Sequence, residues 1–358
     1  MNRRVYRSAT VTRIPVMLRS DACALTAGKG VEEECVADSG GYFIVNGTEK
    51  SLLSQAKLRT NRTFIFDTCS GNTVGRHRTA EVRSVSESKL RSTSTLYVHV
   101  NDVLSGATPN IVAELPFLTS PISLATLYRL MGLEGTVEEL IDEVVAGSAA
   151  NGFSAAVRSV VAVSLSVQSE GGPRNFEEAF DFVGRAATKE NTTEKRNKYI
   201  SHILSNEVLP HIGVNLEETT LASKRFFLSR SVLRLVSVAL GETEPDDRDD
   251  LTQRRVDAPG AMIALLLRQL YRNGIRQASV GMTKAIEDPK KEAALYAPDL
   301  LYCKKTLAGL RYAFATGVWG VGRSGTTAHN GQLGVAQVLS RLNAVSACAS
   351  LRRVNTPL

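Results

Sequence analysis

Residues Ser39–Lys50 read SGGYFIVNGTEK, and this stretch decides the fold of the first part of the chain. Gly40-Gly41 predicts a turn, and Tyr42–Val45 is a short apolar run typical of a buried strand. Asn46-Gly47 is the strongest two-residue hairpin signal, because a type I′ turn needs positive φ at both central positions. We therefore predict a β-hairpin, which is followed by a second apolar run, Ser51–Leu58.

The segment after the hairpin mixes predicted strands with predicted helices. Thr95–Asp102 alternates like a strand, whereas Ser123 and Thr136 are expected N-caps of two helices that end near residues 131 and 145. Val160–Val167 fits either a strand or a buried helix, because periodicity does not separate the two for a short apolar run.

From Asn175 onward the chain is strongly helical. Gly184 is predicted to end the first of these helices, and three more are predicted over Glu194–Leu209, Arg225–Leu240 and Pro259–Tyr271. Aromatic residues at helical spacing usually lie in a core, so four phenylalanines are predicted to be buried: Phe176, Phe180, Phe226 and Phe227. A β-rich beginning joined to a helical centre predicts an α+β protein.

The positive charge is concentrated at the two ends of the chain. The 358 residues carry a formal charge of +7, but the first 20 hold five arginines and no acid. The last 50 residues, from Gly309, also lack any acid and hold Arg311, Arg323, Arg341, Arg352 and Arg353. Basic segments without carboxylates attract a polyanion such as a nucleic-acid backbone.

Several other classes of site find no support in the sequence. The five cysteines are irregularly spaced, which indicates reduced intracellular thiols rather than disulfides or a zinc site. No apolar run approaches the roughly 20 residues of a membrane span. The acidic run Asp246–Asp250 could bind a metal, but neighbouring arginines compete for its carboxylates and it matches no calcium loop. Gly320-Val-Gly322-Arg-Ser-Gly325 resembles a dinucleotide fingerprint without the required acid downstream. No free-standing active site is visible.

The nucleic-acid hypothesis centres on a helix predicted to begin near Val335. Gln337 and Arg341 are four residues apart and would share one face of that helix, with Arg352 and Arg353 beyond it. A guanidinium can donate two hydrogen bonds to a phosphate, and an amide can reach a sugar or a base. The alternative is a solvated basic surface, or arginines paired with acids elsewhere, and composition alone does not decide between them.

Several separated blocks resemble one protein family. The blocks occur along the chain in the same order as in that family. They are IPVMLRS (14–20), GGYFIVNGTEK (40–50), SLLSQ (51–55), FDFVGR (180–185), NEVLPHI (206–212), KRFFL (224–228), DDRDDLTQRRVDAPG (246–260), FATGVWG (314–320), QVLSR (337–341) and LRRVNTPL (351–358). They resemble the second-largest subunit of multisubunit DNA-dependent RNA polymerases of the eukaryotic and archaeal type. Two departures stand out: Ala56-Lys57 replaces an acidic-basic pair, and the loop after Trp319-Gly320 is longer and less basic.

The resemblance implies a domain plan and a place in a larger enzyme. Residues 1–66 would be an incomplete protrusion, 67–250 a lobe, 251–305 the second part of the protrusion and 306–358 the start of the fork. The chain would then be a fragment or split form of the subunit, and the sequence leaves open a split gene, a degenerate copy or a partial record. It would form one wall of the DNA cleft.

The resemblance also implies site residues and partners. Residues expected to approach the RNA–DNA hybrid are Gln337, Arg341, Arg352, Arg353 and, in the unusual loop, Arg323. Nucleotidyl transfer would require the largest subunit and the rest of the second-largest one, with Mg²⁺ bound in the assembled polymerase and no cofactor or metal held by this chain. We expect an intracellular location that depends on the host system: nuclear, archaeal cytoplasmic, or viral. The alternative is a non-catalytic relative that binds nucleic acid or a polymerase partner by itself.

Overall fold

A computed structural model describes twelve ranges of the chain: residues 10–28, 35, 37–68, 77–86, 95–101, 103, 108–118, 120–145, 152–188, 192–287, 304–319 and 333–356. The strands in these ranges are β1 Phe43–Val45, β2 Thr48–Leu52, β3 Ser54–Leu58, β4 Thr63–Thr68, β5 His77–Val82, β6 Leu96–Val100, β7 Ile111–Glu114, β8 Ile122–Ser123, β9 Arg254–Asp257, β10 Ala336–Val338 and β11 Val354–Asn355. The helices are α1 Leu124–Leu130, α2 Val137–Val145, α3 Ala155–Glu170, α4 Phe176–Ala187, α5 Thr193–Asn206, α6 Glu218–Ala239, α7 Pro259–Glu287, α8 Lys304–Thr316 and α9 Ala344–Arg352.

The chain divides into two compact units, and the second is inserted in the first. One unit comprises Met1–Lys57 with Arg254–Leu358, and the other comprises Leu58–Gln253. We call them the outer unit and the inserted unit. Their mixed helices and sheets confirm the predicted α+β class. The assignment of protrusion, lobe and fork to particular residues stays a prediction.

The inserted unit is built on a five-stranded antiparallel sheet in the order β4-β5-β6-β7-β8. Side chains alternate along β6, where Leu96, Val98 and Val100 are buried. Together with apolar side chains from α1 to α6 they form one continuous core. This alternation is what a sheet shows when one face carries the core, so the helices cover that face.

The helix predictions in this unit hold in most places. Ser123 accepts a hydrogen bond from the Thr126 amide at 3.2 Å, which confirms it as an N-cap. Thr136 and Glu139 exchange hydrogen bonds in the manner of a capping box. The ambiguous run Val160–Val167 lies within the helix α3.

Two predictions in the helical region are wrong. Gly184 does not end its helix, because α4 continues to Ala187; it lies instead where the Arg196 side chain passes close to the helix. Phe226 is 60% exposed and does not belong to the core, whereas Phe180 is buried. The reason is helical geometry: Phe226 and Phe227 are adjacent, so they point about 100° apart and cannot both face the same core.

The acidic run closes the free edge of the sheet in the inserted unit. The Ile65 amide of β4 donates to Asp246 Oδ2, and the Asp246 amide donates to the Ile65 carbonyl, both at 2.8 Å. Arg234 pairs with Asp246 at 2.7 Å, and Arg248 pairs with Glu81. Asp246 therefore serves a backbone amide and an arginine, and no cluster of three potential metal ligands occurs in the described ranges.

The outer unit contains two three-stranded sheets, β1-β2-β10 and β11-β3-β9. Asn46 and Gly47 have φ angles of 52° and 74°, and β1 pairs antiparallel with β2, which confirms the predicted hairpin. Phe43 of β1 packs against Phe314 of α8, and Phe314 packs in turn against Trp319. Among the helices in the described part of the chain, none has the length and apolar character of a membrane span.

One lysine of the inserted unit is buried without a contact to any carboxylate in the described ranges. Lys224 of α6 is 1% exposed, and its Nζ donates to the Leu204 carbonyl in the last turn of α5 at 2.7 Å. Burial lowers the pKa of Lys224 from 10.5 to about 8. The pKa of His211 is lowered as well, by the burial of its own ring and by the positive charge of Lys224. Burying the charged form of Lys224 therefore costs folding free energy.

We expect the stability conferred by Lys224 to rise with pH. Between pH 8 and about pH 10 the unfolded chain holds the lysine proton and the folded chain releases it, so the free energy of unfolding increases. Relative to Lys224→Met, the wild type should gain up to about 3 kcal/mol across that interval. Urea unfolding at several pH values, followed by circular dichroism, measures the difference. Lys198→Met, at an exposed position of α5, is the matched control; an equal pH trend in both variants would contradict the prediction.

Candidate nucleic-acid interface

The predicted helix near Val335 is in fact a strand. β10 pairs antiparallel with β2, with Ala336 opposite Leu52 and Gln337 opposite Ser51. The Leu53 amide donates to the Val335 carbonyl at 2.8 Å, which extends the pairing. A short apolar run fits helix and strand equally well, and here the open edge of β2 decides in favour of the strand. Gln337 and Arg341 therefore do not share a helix face.

Gln337 is exposed on this strand. Ala336 before it is buried, and Val338 after it is also exposed. Within the described ranges, the Gln337 side chain makes one hydrogen bond, a long one of 3.4 Å from Nε2 to the Gly334 carbonyl. Most of its hydrogen-bonding capacity is therefore open to another molecule.

Arg341 is held by two carboxylates of the β1–β2 region. Its Nε and Nη2 donate to the two oxygens of Glu49 at 2.8 and 3.0 Å, in a bidentate geometry. Nη2 also donates to Asp38 at 3.1 Å, and the guanidinium lies 4.9 Å from the centre of the Tyr42 ring. The hydrogen bond to Glu49 raises the pKa of Arg341. The charge of this arginine is thus largely balanced inside the chain.

The neighbours of Arg341 form a connected network. Tyr42 donates to Asp38 Oδ2 at 2.7 Å, and the Gly40 amide donates to Asp38 Oδ1 at 3.0 Å. Partial burial alone would raise the pKa of Asp38, but the hydrogen bonds from Gly40, Tyr42 and Arg341 outweigh it and lower that pKa. Burial and the bond to Asp38 raise the pKa of Tyr42 to about 12. The network fixes the position of the chain just before α9.

Arg352 and Arg353 are positioned from both sides. Asn343 begins α9 with a capping box that involves Ser346, and Arg352 is the last helical residue. Arg353 follows in extended conformation, and β11 then pairs in parallel with β3, Asn355 opposite Gln55. Both arginines are exposed, and neither has a carboxylate partner within the described ranges. Their guanidinium groups are therefore available for a phosphate.

The candidate residues thus fall into different classes. Gln337, Arg352 and Arg353 are exposed, whereas Arg341 is committed to an internal ion pair. Arg323 lies outside the described residues. Asp38, Tyr42 and Glu49 were not among the predicted site residues. Nothing local to Arg341 marks them as its partners, since Glu49 is 292 positions away.

Comparison with known proteins identifies the family. A family model described as "RNA polymerase beta subunit" matches residues 2–305. The chain belongs to the RNA polymerase beta-subunit family. It is 31% identical to DNA-directed RNA polymerase II subunit 2 of Arabidopsis thaliana over 99% of its own length, and 34% identical to subunit RPB2 of Encephalitozoon cuniculi over the same share. It is 28% identical to subunit Rpo2 of Saccharolobus solfataricus over 96% of its length.

The chain spans 29% of the length of the first two relatives and 28% of the third. The matches confirm the predicted resemblance to second-largest polymerase subunits. The blocks quoted from the sequence lie in both units of this polymerase-family chain, so the likeness is not confined to one segment.

We predict that Arg341 and Glu49 stabilise the outer unit as a pair. A double-mutant cycle with Arg341→Ala and Glu49→Ala should give a coupling of about 1 kcal/mol, at the upper end for exposed pairs because the geometry is bidentate. Urea unfolding followed by fluorescence suits this test, since the single tryptophan, Trp319, is buried in the outer unit. Asp257→Ala, which removes a carboxylate paired with Lys57, should be additive with Arg341→Ala. A coupling near zero for Arg341 and Glu49 would contradict the prediction.

Proposed function

We propose that this chain works as a section of the second-largest subunit of a DNA-directed RNA polymerase, forms part of one wall of the DNA cleft, and contacts the RNA–DNA hybrid region. The single observation that carries the contact is the pair Arg352-Arg353, two exposed guanidinium groups without a carboxylate partner in the described part of the chain. Membership of the polymerase family supplies the context.

The distribution of charge between the units supports this proposal. The outer unit carries 23 Lys and Arg against 11 Asp and Glu, a net charge of +12, and the inserted unit carries 20 against 25, a net charge of −5. All of the excess positive charge therefore belongs to the unit that holds the candidate interface. Such a charge favours the approach of a polyanion.

Different roles follow for the four candidate residues that are described. Arg352 and Arg353 would bind phosphates, and Gln337 would reach a sugar or a base edge. Arg341 would act as a positioning residue, because its ion pairs with Glu49 and Asp38 fix the segment that leads into α9. The further proposal for Arg323 rests on the family resemblance alone.

The assembled enzyme would supply the chemistry. We propose that the chain associates with the largest subunit and with the remaining part of the second-largest one, and that Mg²⁺ for nucleotidyl transfer is held in that assembly and not by this chain. The alternative is a relative that binds nucleic acid or a polymerase partner without the full enzyme; the same exposed arginines would serve it.

Co-purification discriminates these two functions. A tagged copy of the chain expressed in its own host should recover a largest polymerase subunit, and the recovered complex should transcribe a template. Recovery of nucleic acid without any largest subunit, and without transcription, would instead support the independent binding protein.

The arginine pair can be tested directly on the full chain. We expect Arg352→Ala with Arg353→Ala to weaken binding to an RNA–DNA hybrid and to flatten its salt dependence, because two fewer phosphates are neutralised. The matched control is Arg174→Ala with Arg230→Ala, which removes the same charge from exposed positions of the inserted unit. A salt slope equal to that of the wild type would show that Arg352 and Arg353 are structural.

A further inference from the structure

The helix α7 carries a row of arginines that the proposed interface does not use. Arg268, Arg272 and Arg276 are spaced four residues apart, and all three are exposed. Successive positions i and i+4 lie on one face of a helix, so the three side chains line up along about 12 Å of its length. Lys284 adds another exposed cation two turns further on.

The only acidic residue of α7 is its last one, Glu287, eleven positions beyond Arg276. From Ala258 to Ile286 the sequence contains no Asp or Glu. Arg272 and Arg276 make no ion pair with any residue in the described ranges, whereas Arg268 has an interaction of its own in the chain. We therefore base the inference on Arg272 and Arg276.

The placement of these arginines is unfavourable for an isolated helix. Like charges four residues apart repel each other, and an acid at one of those positions would relieve the repulsion. After Leu270, moreover, none of the described side chains of α7 is buried or belongs to the core of the outer unit. This half of the helix therefore gains little from packing in the described part of the chain to offset the repulsion. A bound polyanion would remove that repulsion.

We propose that the Arg272–Arg276 face of α7 binds the phosphate backbone of double-stranded DNA, as a second nucleic-acid contact of this chain. Each strand of a duplex presents one phosphate per about 3.4 Å of its axis, and Arg272 and Arg276 are separated by about 6 Å along α7, so the pair faces about two phosphates. Arginine suits this contact, because its planar guanidinium can donate two hydrogen bonds to one phosphate.

Duplex DNA fits this face better than an acidic protein segment does. The arginines repeat in one straight line and in one charge sign, which matches the regular charge repeat of a duplex. The exposed apolar residue nearest to them, Ile275, precedes Arg276 in sequence and therefore points about 100° away from it. The inference rests on the proposed function only in that both assume a nucleic-acid partner for the outer unit.

The test measures binding of the full chain to a 20-base-pair DNA duplex between 50 and 200 mM salt. For Arg272→Ala with Arg276→Ala the slope of log affinity against log salt should fall by about 1.8, which is roughly a tenfold change in relative affinity over this range. Alanine is the strongest helix former, so the variant should keep α7 intact. Arg272→Lys with Arg276→Lys should keep most of the slope but bind less tightly.

Four comparisons make the result decisive. If the α7 variant keeps the wild-type slope while Arg352→Ala with Arg353→Ala lowers it on a hybrid, the α7 contact is wrong and the proposed function stands. If neither variant changes a slope, both are wrong. If the control Arg174→Ala with Arg230→Ala lowers the salt slope by the same amount, the effect comes from net charge alone and the inference is overturned. So would an effect limited to the hybrid, or binding of poly-glutamate with the same arginine dependence.

Discussion

The pairing of β10 with β2 is the contact on which the outer unit depends. It joins Ser51 to Gln337, which are 286 residues apart in sequence. The pairing places Val335 and Ala336 in the core beside Phe314. It also requires Gly317, whose φ is +74° and where a β-carbon would lie 2.6 Å from the Ala336 carbonyl. The inserted unit lies between these two parts of the sequence.

The sequence predicted features that depend on neighbouring residues and missed those that depend on distant ones. The Asn46-Gly47 hairpin and the Ser123 cap are set by local backbone chemistry, and both are confirmed. The strand at Gln337 exists because β2 offers an open edge, which no window around Gln337 reveals. Phe226 was placed in the core from its residue type, although its exposure depends on which face of α6 the sheet and the other helices cover.

The same distinction governs the candidate interface. An acid-free segment is basic in composition, but its arginines are free only if no acid from another segment reaches them. Glu49 and Asp38 reach Arg341, and this was one of the two possibilities that the sequence left open. Arg352 and Arg353 have no such partner in the described ranges, and they lie next to each other at the end of α9. The resemblance identified the stretch, and the geometry separates the ion-paired Arg341 from the exposed Arg352 and Arg353.

Net charge and individual contacts contribute to nucleic-acid binding at different distances. The +12 of the outer unit acts over the Debye length, about 8 Å at physiological ionic strength, and attracts a polyanion without selecting a position on it. Holding a nucleic acid in one register on the protein requires hydrogen-bond donors at fixed positions. Arg352 and Arg353 meet this requirement because the Asn343 cap and the β11–β3 pairing hold the backbone on either side of them. A basic protein can attract nucleic acid with any of its cations, but only cations whose positions are fixed by the fold can hold it in one register.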